Sequence, residues 1–378
     1  MGHSLPLSQQ NDDLRKVYVE ITTDCNLDCG MCMRHVWQQP ERSMAPDTFQ
    51  ELVRQMRAAP SVSVVSFGGF GEPTVHAQFL DFLRQVKEAG LRAELVTNGT
   101  LLRGEAAERL LDLELDRLTV SLDGASPGED RVLHHAPASL VQANLRDFHQ
   151  LRQLRRVPWP EVNVQFVATR KNIHELPLLA ARSRELGVSR IVVSNLVPHT
   201  PDLCEQVLYR RWATSRKNAG GTPGNPTISL PPLDIQSEAT PVLEQLHAQG
   251  RRLQIGDADI AGGEMRCRFV AEGCAAVGPD GSVSPCLPLM HSHSVYFQGQ
   301  RRQIWEHRTG NIRQATLAQL WESAEYRRFR QKVRRFDFSP CINCGGCDLR
   351  ESNREDCSGN EFPCCGACLW ATGLIQCP

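Results

Sequence analysis

Between residues 17 and 196 the chain alternates short apolar runs with amphipathic stretches of helical period, and no other feature restricts its fold as tightly. Residues 17–21, 62–67, 93–96, 117–122, 162–168 and 190–196 read as strands. Several stop at turn residues: Thr22-Thr23-Asp24, Gly68-Gly69, Thr97-Asn98-Gly99 and Asp123-Gly124. Residues 46–57, 79–89, 105–113, 140–154 and 176–186 read as the intervening helices, the first with Phe49, Leu52, Val53 and Met56 on one face. Strands separated by helices imply parallel pairing through right-handed crossovers. Chemically loaded residues recur just past the strand ends, where a βα barrel builds its site. The expected class is α/β, a partial (β/α)6 open barrel followed by a small cysteine-rich domain.

Residues 199–262 are less regular. Residues 219–232, rich in Gly and Pro, read as a loop, and residues 240–250 as one short helix. Beyond Met265, cysteines and turn residues dominate. Pro279-Asp280-Gly281 reads as a hairpin turn, and residues 317–333 as a single helix with Leu317, Leu320, Trp321, Tyr326 and Phe329 in phase. The expected organisation is a leader over 1–16, a barrel over 17–200, a connecting segment over 201–262 and a cysteine-rich module over 263–378.

A formal net charge of −1 over 378 residues gives no steering towards nucleic acid or an anionic membrane. The polar first residues lack the apolar core of a signal peptide, and no run approaches the roughly 18–20 apolar residues that span a bilayer. A cytoplasmic location is expected. In that reducing compartment fifteen cysteines point to metal or redox chemistry rather than disulfides. Three lie within Cys25–Cys32, Cys204 stands alone, and eleven fall between Cys267 and Cys377.

Cys25-Asn-Leu-Asp-Cys29-Gly-Met-Cys32 follows the first strand directly. Three thiolates on a tight loop can grip three corners of an Fe4S4 cube and leave the fourth iron open. An open iron can be chelated by the amine and carboxylate of S-adenosylmethionine (SAM). An electron from the cluster then breaks the sulfonium C–S bond homolytically, to methionine and a hydrogen-abstracting 5′-deoxyadenosyl radical. The alternative is a zinc site completed by a remote ligand such as His35.

This triplet resembles the radical SAM superfamily, with Met31 where an aromatic residue commonly precedes the third cysteine. The resemblance implies roles for residues at the other strand ends. Gly68, Gly69 and Glu72 are similar to the Gly-Gly-Glu motif that receives the cofactor's amino group, with Phe70-Gly71 inserted. Asn98, Ser121 and Asp123 match positions that line the ribose and methionyl end, although Asn-Gly and Asp-Gly also form turns unaided. Arg170, past the fifth strand, is a partner for the cofactor carboxylate or a solvated arginine. No side chain is singled out as catalytic.

The late cysteines resemble the SPASM auxiliary-cluster domain, which carries up to two further [4Fe–4S] clusters. Cys267, Cys274, Cys286, Cys341 and Cys344 carry the match, and Gly281 precedes Cys286 by the usual interval. Cys347 comes after two residues rather than five, and Cys357, Cys365, Cys368 and Cys377 complete the expected ligand pool. Zinc is the alternative, since Cys341-x2-Cys344 and Cys365-x2-Cys368 are also zinc spacings.

Over nearly its full length the chain is most similar to the radical SAM maturases associated with tungsten-containing aldehyde ferredoxin oxidoreductases. Residues 25–37, 67–76, 285–291 and 364–378 carry this similarity. It implies a cofactor-precursor or protein substrate, a reductant such as ferredoxin or flavodoxin, and a tungsten oxidoreductase as partner. Two other functions fit the motifs: a radical modifier of peptides or proteins, and a non-catalytic iron–sulfur or zinc protein.

Overall fold

The computed structural model describes residues 12–37, 39–125, 137–209, 227–231, 233, 238–249, 252–255, 266–297, 299–339, 341 and 347–376. The expected alternation is present: β1 (Lys16–Val19), α1 (Pro46–Arg57), β2 (Val64–Phe67), α2 (Phe79–Glu88), β3 (Arg92–Thr97), α3 (Gly104–Asp112), β4 (Arg117–Ser121), α4 (Ala138–Arg155), β5 (Glu161–Ala168), α5 (Leu176–Arg182) and β6 (Arg190–Asn195). All six strands pair parallel in sequence order. Their C-terminal ends therefore share one rim, and the residues that follow them converge there. The strands are apolar almost throughout because helices cover the sheet. Phe49 of α1 stacks on Phe82 of α2 at 4.0 Å and on Phe67 of β2 at 5.9 Å.

The sheet is larger than six strands. Thr227–Leu230, inside the segment read as a loop, is strand β7, and Arg252–Ile255 is β8. Both extend the parallel sheet beyond β6. Four-residue strands amid Gly and Pro leave too short a periodic signal; a pairing edge decides them. α6 (Ala239–Ala248) lies between the two.

At the other edge the cysteine-rich module joins the same sheet. After α7 (Arg268–Ala271), β9 (Cys274–Val277) pairs parallel with β1, in register Lys16↔Cys274 to Val19↔Val277. β10 (Ser282–Ser284) returns antiparallel through the expected turn, with Gly281 at φ +80°, and β13 (Gly310–Asn311) closes that edge. β11 (His293–Phe297) and β12 (Gln300–Ile304) form a separate hairpin. The single helix expected over 317–333 is two, α8 (Leu317–Glu322) and α9 (Ala324–Arg335). Ser323 breaks it at ψ 144° and caps α9, its hydroxyl accepting from the Tyr326 amide at 3.3 Å. Among the described residues no helix is long and apolar enough to cross a membrane.

Two buried histidines hold β11 to the segment after β6. His199 Nδ1 bonds the Ser294 carbonyl at 2.9 Å, His293 Nδ1 bonds the His291 carbonyl at 2.8 Å, and the rings lie 5.7 Å apart. Burial lowers them to about 4 and about 3, so the fold holds both neutral. Folding therefore loses stability as pH falls from the unfolded value near 6.5 through these lowered values. Unfolding free energies from denaturant titrations should drop by a few kcal/mol between pH 7 and pH 4 for the wild type. The fall should be shallower in His199→Phe/His293→Phe; parallel pH profiles for the two proteins would refute the assignment.

Candidate functional site

The segment after β1 is pinched at its base. Thr22 bridges Ser43, with their hydroxyls 2.9 Å apart, and Thr23 N–H donates to the Arg42 carbonyl at 2.9 Å. The intervening loop carries Cys25, Cys29 and Cys32 as free thiols. Cys32 N–H closes a turn onto the Cys29 carbonyl at 2.9 Å, and Leu27 N–H points at Cys25 Sγ at 3.4 Å. Arg34 clamps the loop from within, donating to the Thr23 and Leu27 carbonyls.

Burial pushes the Cys25 and Cys32 thiols up, and the neighbouring loop cysteines raise both further; Glu72 adds to Cys25, while Arg34 pulls both down. The three sulfurs thus lie within electrostatic reach of one another. Ionisation of Cys25 and Cys32 calls for a further positive charge, which bound iron would supply. Among the described residues no three His, Cys, Asp or Glu side chains converge on one point. His35, the candidate fourth zinc ligand, turns its Nε2 to the Cys29 carbonyl at 3.0 Å and to Asp28 at 3.2 Å. Three free thiols beside a cation suit a cluster held at three corners.

The loop rests on the ends of β2 and β3. Asn98 Nδ2 donates to Asn26 Oδ1 at 2.9 Å and lies 3.9 Å from Cys25 Sγ, while Asn26 Nδ2 donates to Thr100 Oγ1 at 2.9 Å. Glu72 is buried. One carboxylate oxygen accepts from Thr97 Oγ1 at 2.7 Å, Thr74 Oγ1 at 2.6 Å and Thr74 N–H at 3.1 Å; the other accepts from Asn98 N–H at 2.7 Å. Burial raises this carboxyl against those bonds. The inserted glycine has its own cause: a Cβ on Gly71 would strike the carbonyls of Thr22 and Asp24, the base of the cysteine loop. Gly69, at φ +140°, has no room for a Cβ beside Glu20, and Gly68 lies against Val96.

The remaining expected residues are more dispersed. Ser121 is half-exposed at the end of β4. Asp123 is buried, and its Oδ1 accepts from Val167 N–H at 2.7 Å, tying β4 to β5. Arg170 donates to Glu238 at 3.0 Å and to the Val207 carbonyl at 3.3 Å.

A buried polar pair lies at the same rim; His291, just after Cys286, is one a sequence reading could place facing substrate or in a polar loop, and Glu20 carried no such signal. Glu20, just past β1, accepts from Phe70 N–H at 2.7 Å and meets His291 Nε2 at 2.6 Å. His291 Nδ1 bonds Gln39 at 2.7 Å, and its ring packs on Trp37 at 4.2 Å and on Phe70 at 5.7 Å. The cysteine-rich module thereby places an imidazole beside the Glu72 loop, against the rings of Trp37 and Phe70.

The late thiols fall into two neighbourhoods. Cys286 is raised well above its ordinary value by burial and then by Cys267, Cys368 and Cys365. Burial pushes Cys267 up to about 12, and Cys368 adds to it. Cys274, also pushed to about 12 by burial, adjoins through Cys267. In the second neighbourhood Cys341 is raised by burial, then by Asp356, Cys357 and Cys347. Cys364, absent from the expected ligand pool, belongs there: burial pushes it to about 11, and Asp356 and Cys341 raise it further. Its adjacency to Cys365 was the available signal. Cys344 and Cys377 lie outside the described residues. Cys204 stands apart, its thiol 3.9 Å from the Thr200 carbonyl.

Comparison with known proteins agrees with this arrangement. The radical SAM superfamily model matches residues 19–157, and the SPASM iron–sulfur cluster-binding domain matches residues 267–348. The tungsten-containing aldehyde ferredoxin oxidoreductase cofactor-modifying protein of Pyrococcus furiosus is 30% identical over 97% of both chains. The PqqA peptide cyclase of Bradyrhizobium diazoefficiens is 24% identical, over 92% of this chain and 85% of its own. In fold, the chain resembles Streptococcus suis SuiB bound to S-adenosylmethionine, with a TM-score of 0.59 and 16% identity over 90% of this chain and 73% of that one. A cysteine loop on the rim of a parallel sheet, a second thiol-rich module and full-length similarity converge: this chain belongs to the radical SAM superfamily, among the SPASM-bearing relatives of the tungsten oxidoreductase cofactor-modifying protein.

Proposed function

We propose that this chain is a cytoplasmic radical SAM enzyme acting in the maturation of a tungsten-pterin cofactor or of the oxidoreductase that carries it. The observation that carries this reading is the 30% identity to a cofactor-modifying protein over 97% of both chains. The division proposed is a barrel over 17–200, continued by β7 and β8 in the segment 201–262, and an auxiliary module over 263–378.

Cys25, Cys29 and Cys32 hold a [4Fe–4S] cluster with one iron open to S-adenosylmethionine. When bound and reduced, the cluster supplies the electron that cleaves the sulfonium bond and yields a hydrogen-abstracting 5′-deoxyadenosyl radical. Glu72 receives the cofactor's ammonium; an incoming positive charge favours the ionised carboxylate that burial alone opposes. Gly68 and Gly69 let the loop backbone approach the ligand closely. Asn98 orients the methionyl end beside Cys25, and Ser121 and Asp123 take ribose hydroxyls. Arg170 exchanges Glu238 for the cofactor carboxylate. The faces of Trp37, Phe70 and His291 offer a flat heterocyclic substrate an aromatic wall beside that site.

Two auxiliary clusters draw on Cys267, Cys274, Cys286, Cys365 and Cys368, and on Cys341, Cys347, Cys357 and Cys364, with Cys344 and Cys377 as further ligands. Ferredoxin or flavodoxin serves as reductant.

The first test is chemical. Anaerobically reconstituted and reduced protein should release 5′-deoxyadenosine from S-adenosylmethionine. A Cys25→Ala/Cys29→Ala/Cys32→Ala variant should fall to background while keeping its C-terminal iron. Absence of 5′-deoxyadenosine from the wild type would overturn the enzymatic reading, and zinc in place of iron would overturn the whole scheme.

The second test addresses the substrate. Reconstituted protein, S-adenosylmethionine and reductant are incubated with a tungsten-pterin oxidoreductase produced without this protein. The mass of the extracted pterin, or the aldehyde-oxidising activity, should change. A mass change confined to the polypeptide, with pterin and activity untouched, would instead support protein modification.

A further inference from the structure

Arg302 lies on β12, opposite Val295 of β11, with only 7% of its surface exposed. Its NH1 donates to the Arg350 carbonyl at 2.8 Å, and its Nε has no hydrogen-bond partner among the described residues. A buried guanidinium N–H left unsatisfied is costly, and a guanidinium stays charged in proteins. No carboxylate pairs with it among the described ion pairs. Thiols lie within its electrostatic reach. Its charge lowers Cys341 and Cys364 of one thiol neighbourhood and Cys365 and Cys368 of the other. Lys332 also acts on Cys364.

We propose that Arg302 is a positioning residue shared by the two auxiliary clusters, its buried charge making both easier to reduce and its Nε–H left available to them. This rests on the reading that the two neighbourhoods carry clusters. The physics is direct: each added electron makes a cluster more negative, and a buried cation or an N–H donor to sulfur stabilises that state. A cation that acts on both clusters shifts both potentials in the same direction.

The test uses the full-length holoprotein, with iron counting and EPR-monitored redox titration. Wild type should hold iron for three cubanes. In Arg302→Met, the ratio of reduced to oxidised auxiliary clusters at a fixed potential should fall about tenfold, or ~59 mV for one electron, with the N-terminal cluster unchanged. Full iron loading with unmoved auxiliary midpoints would overturn the role of Arg302 while leaving the cluster reading intact. Wild type with iron for the N-terminal cubane alone would overturn both. If Arg302→Met sheds auxiliary iron, Arg302→Lys is compared with Arg302→Gln. Lysine keeping the auxiliary iron or midpoint that glutamine loses supports the charge, and equal behaviour of the two overturns it.

Discussion

The arrangement depends on a single strand paired along both edges. β1 bonds β2 on one side and β9 on the other, in parallel register with each. Its C-terminal end delivers the loop of Cys25, Cys29 and Cys32, and β9 begins at Cys274 of the auxiliary module. The ladder therefore makes the two cysteine-bearing parts of the chain one sheet. Parallel pairing needs a crossover, and here the crossover is most of the barrel. Displacing β9 would expose the edge of β1 and release the loop that it carries.

The rim is organised around buried carboxylates rather than a rigid turn. Glu72 draws in hydrogens from Thr74, Thr97 and Asn98, so the end of β2 and the end of β3 become one surface. Glu20 does the same for Phe70 and His291, joining the barrel to the auxiliary module. Buried carboxylates are costly without such partners. Their cost explains both the density of donors around them and the close packing that forbids a side chain on Gly69 and Gly71.

The thiol neighbourhoods have the opposite electrostatic character. Burial disfavours the thiolates of Cys267, Cys274, Cys286, Cys364, Cys365 and Cys368, with Cys267 and Cys274 pushed to about 12. A site in this state is built for a strongly positive occupant that displaces protons. Arg302 and Arg34 are two of the cations near these groups, one in each module, with Lys332 near Cys364 and Lys16 and Arg15 near Cys274. Neither is exposed as a free surface charge: Arg34 is bound to loop carbonyls, and Arg302 is buried on a hairpin strand.

Local patterning was enough for the first six strands, their helices, the cysteine loop and the hairpin turn at Gly281, because each is written in the period of contiguous residues. The family resemblance was equally legible, since the triplet spacing and the late cysteines are linear motifs. Other features depend on partners far away in the chain. Thr227–Leu230 is a strand only because β6 and β8 flank it, and Ser323 divides a helix whose apolar phase runs on without a break. The meeting of Cys286 with Cys365 and Cys368, the pairing of Glu20 with His291, and the burial of Arg302 between two sets of thiols have no local signature. The amino-acid order by itself determined which residue types could bind iron and where the strands that present them begin. Only tertiary packing decided which of those residues meet, because burial and electrostatic contact are properties of distance in space, and sequence separation does not encode it.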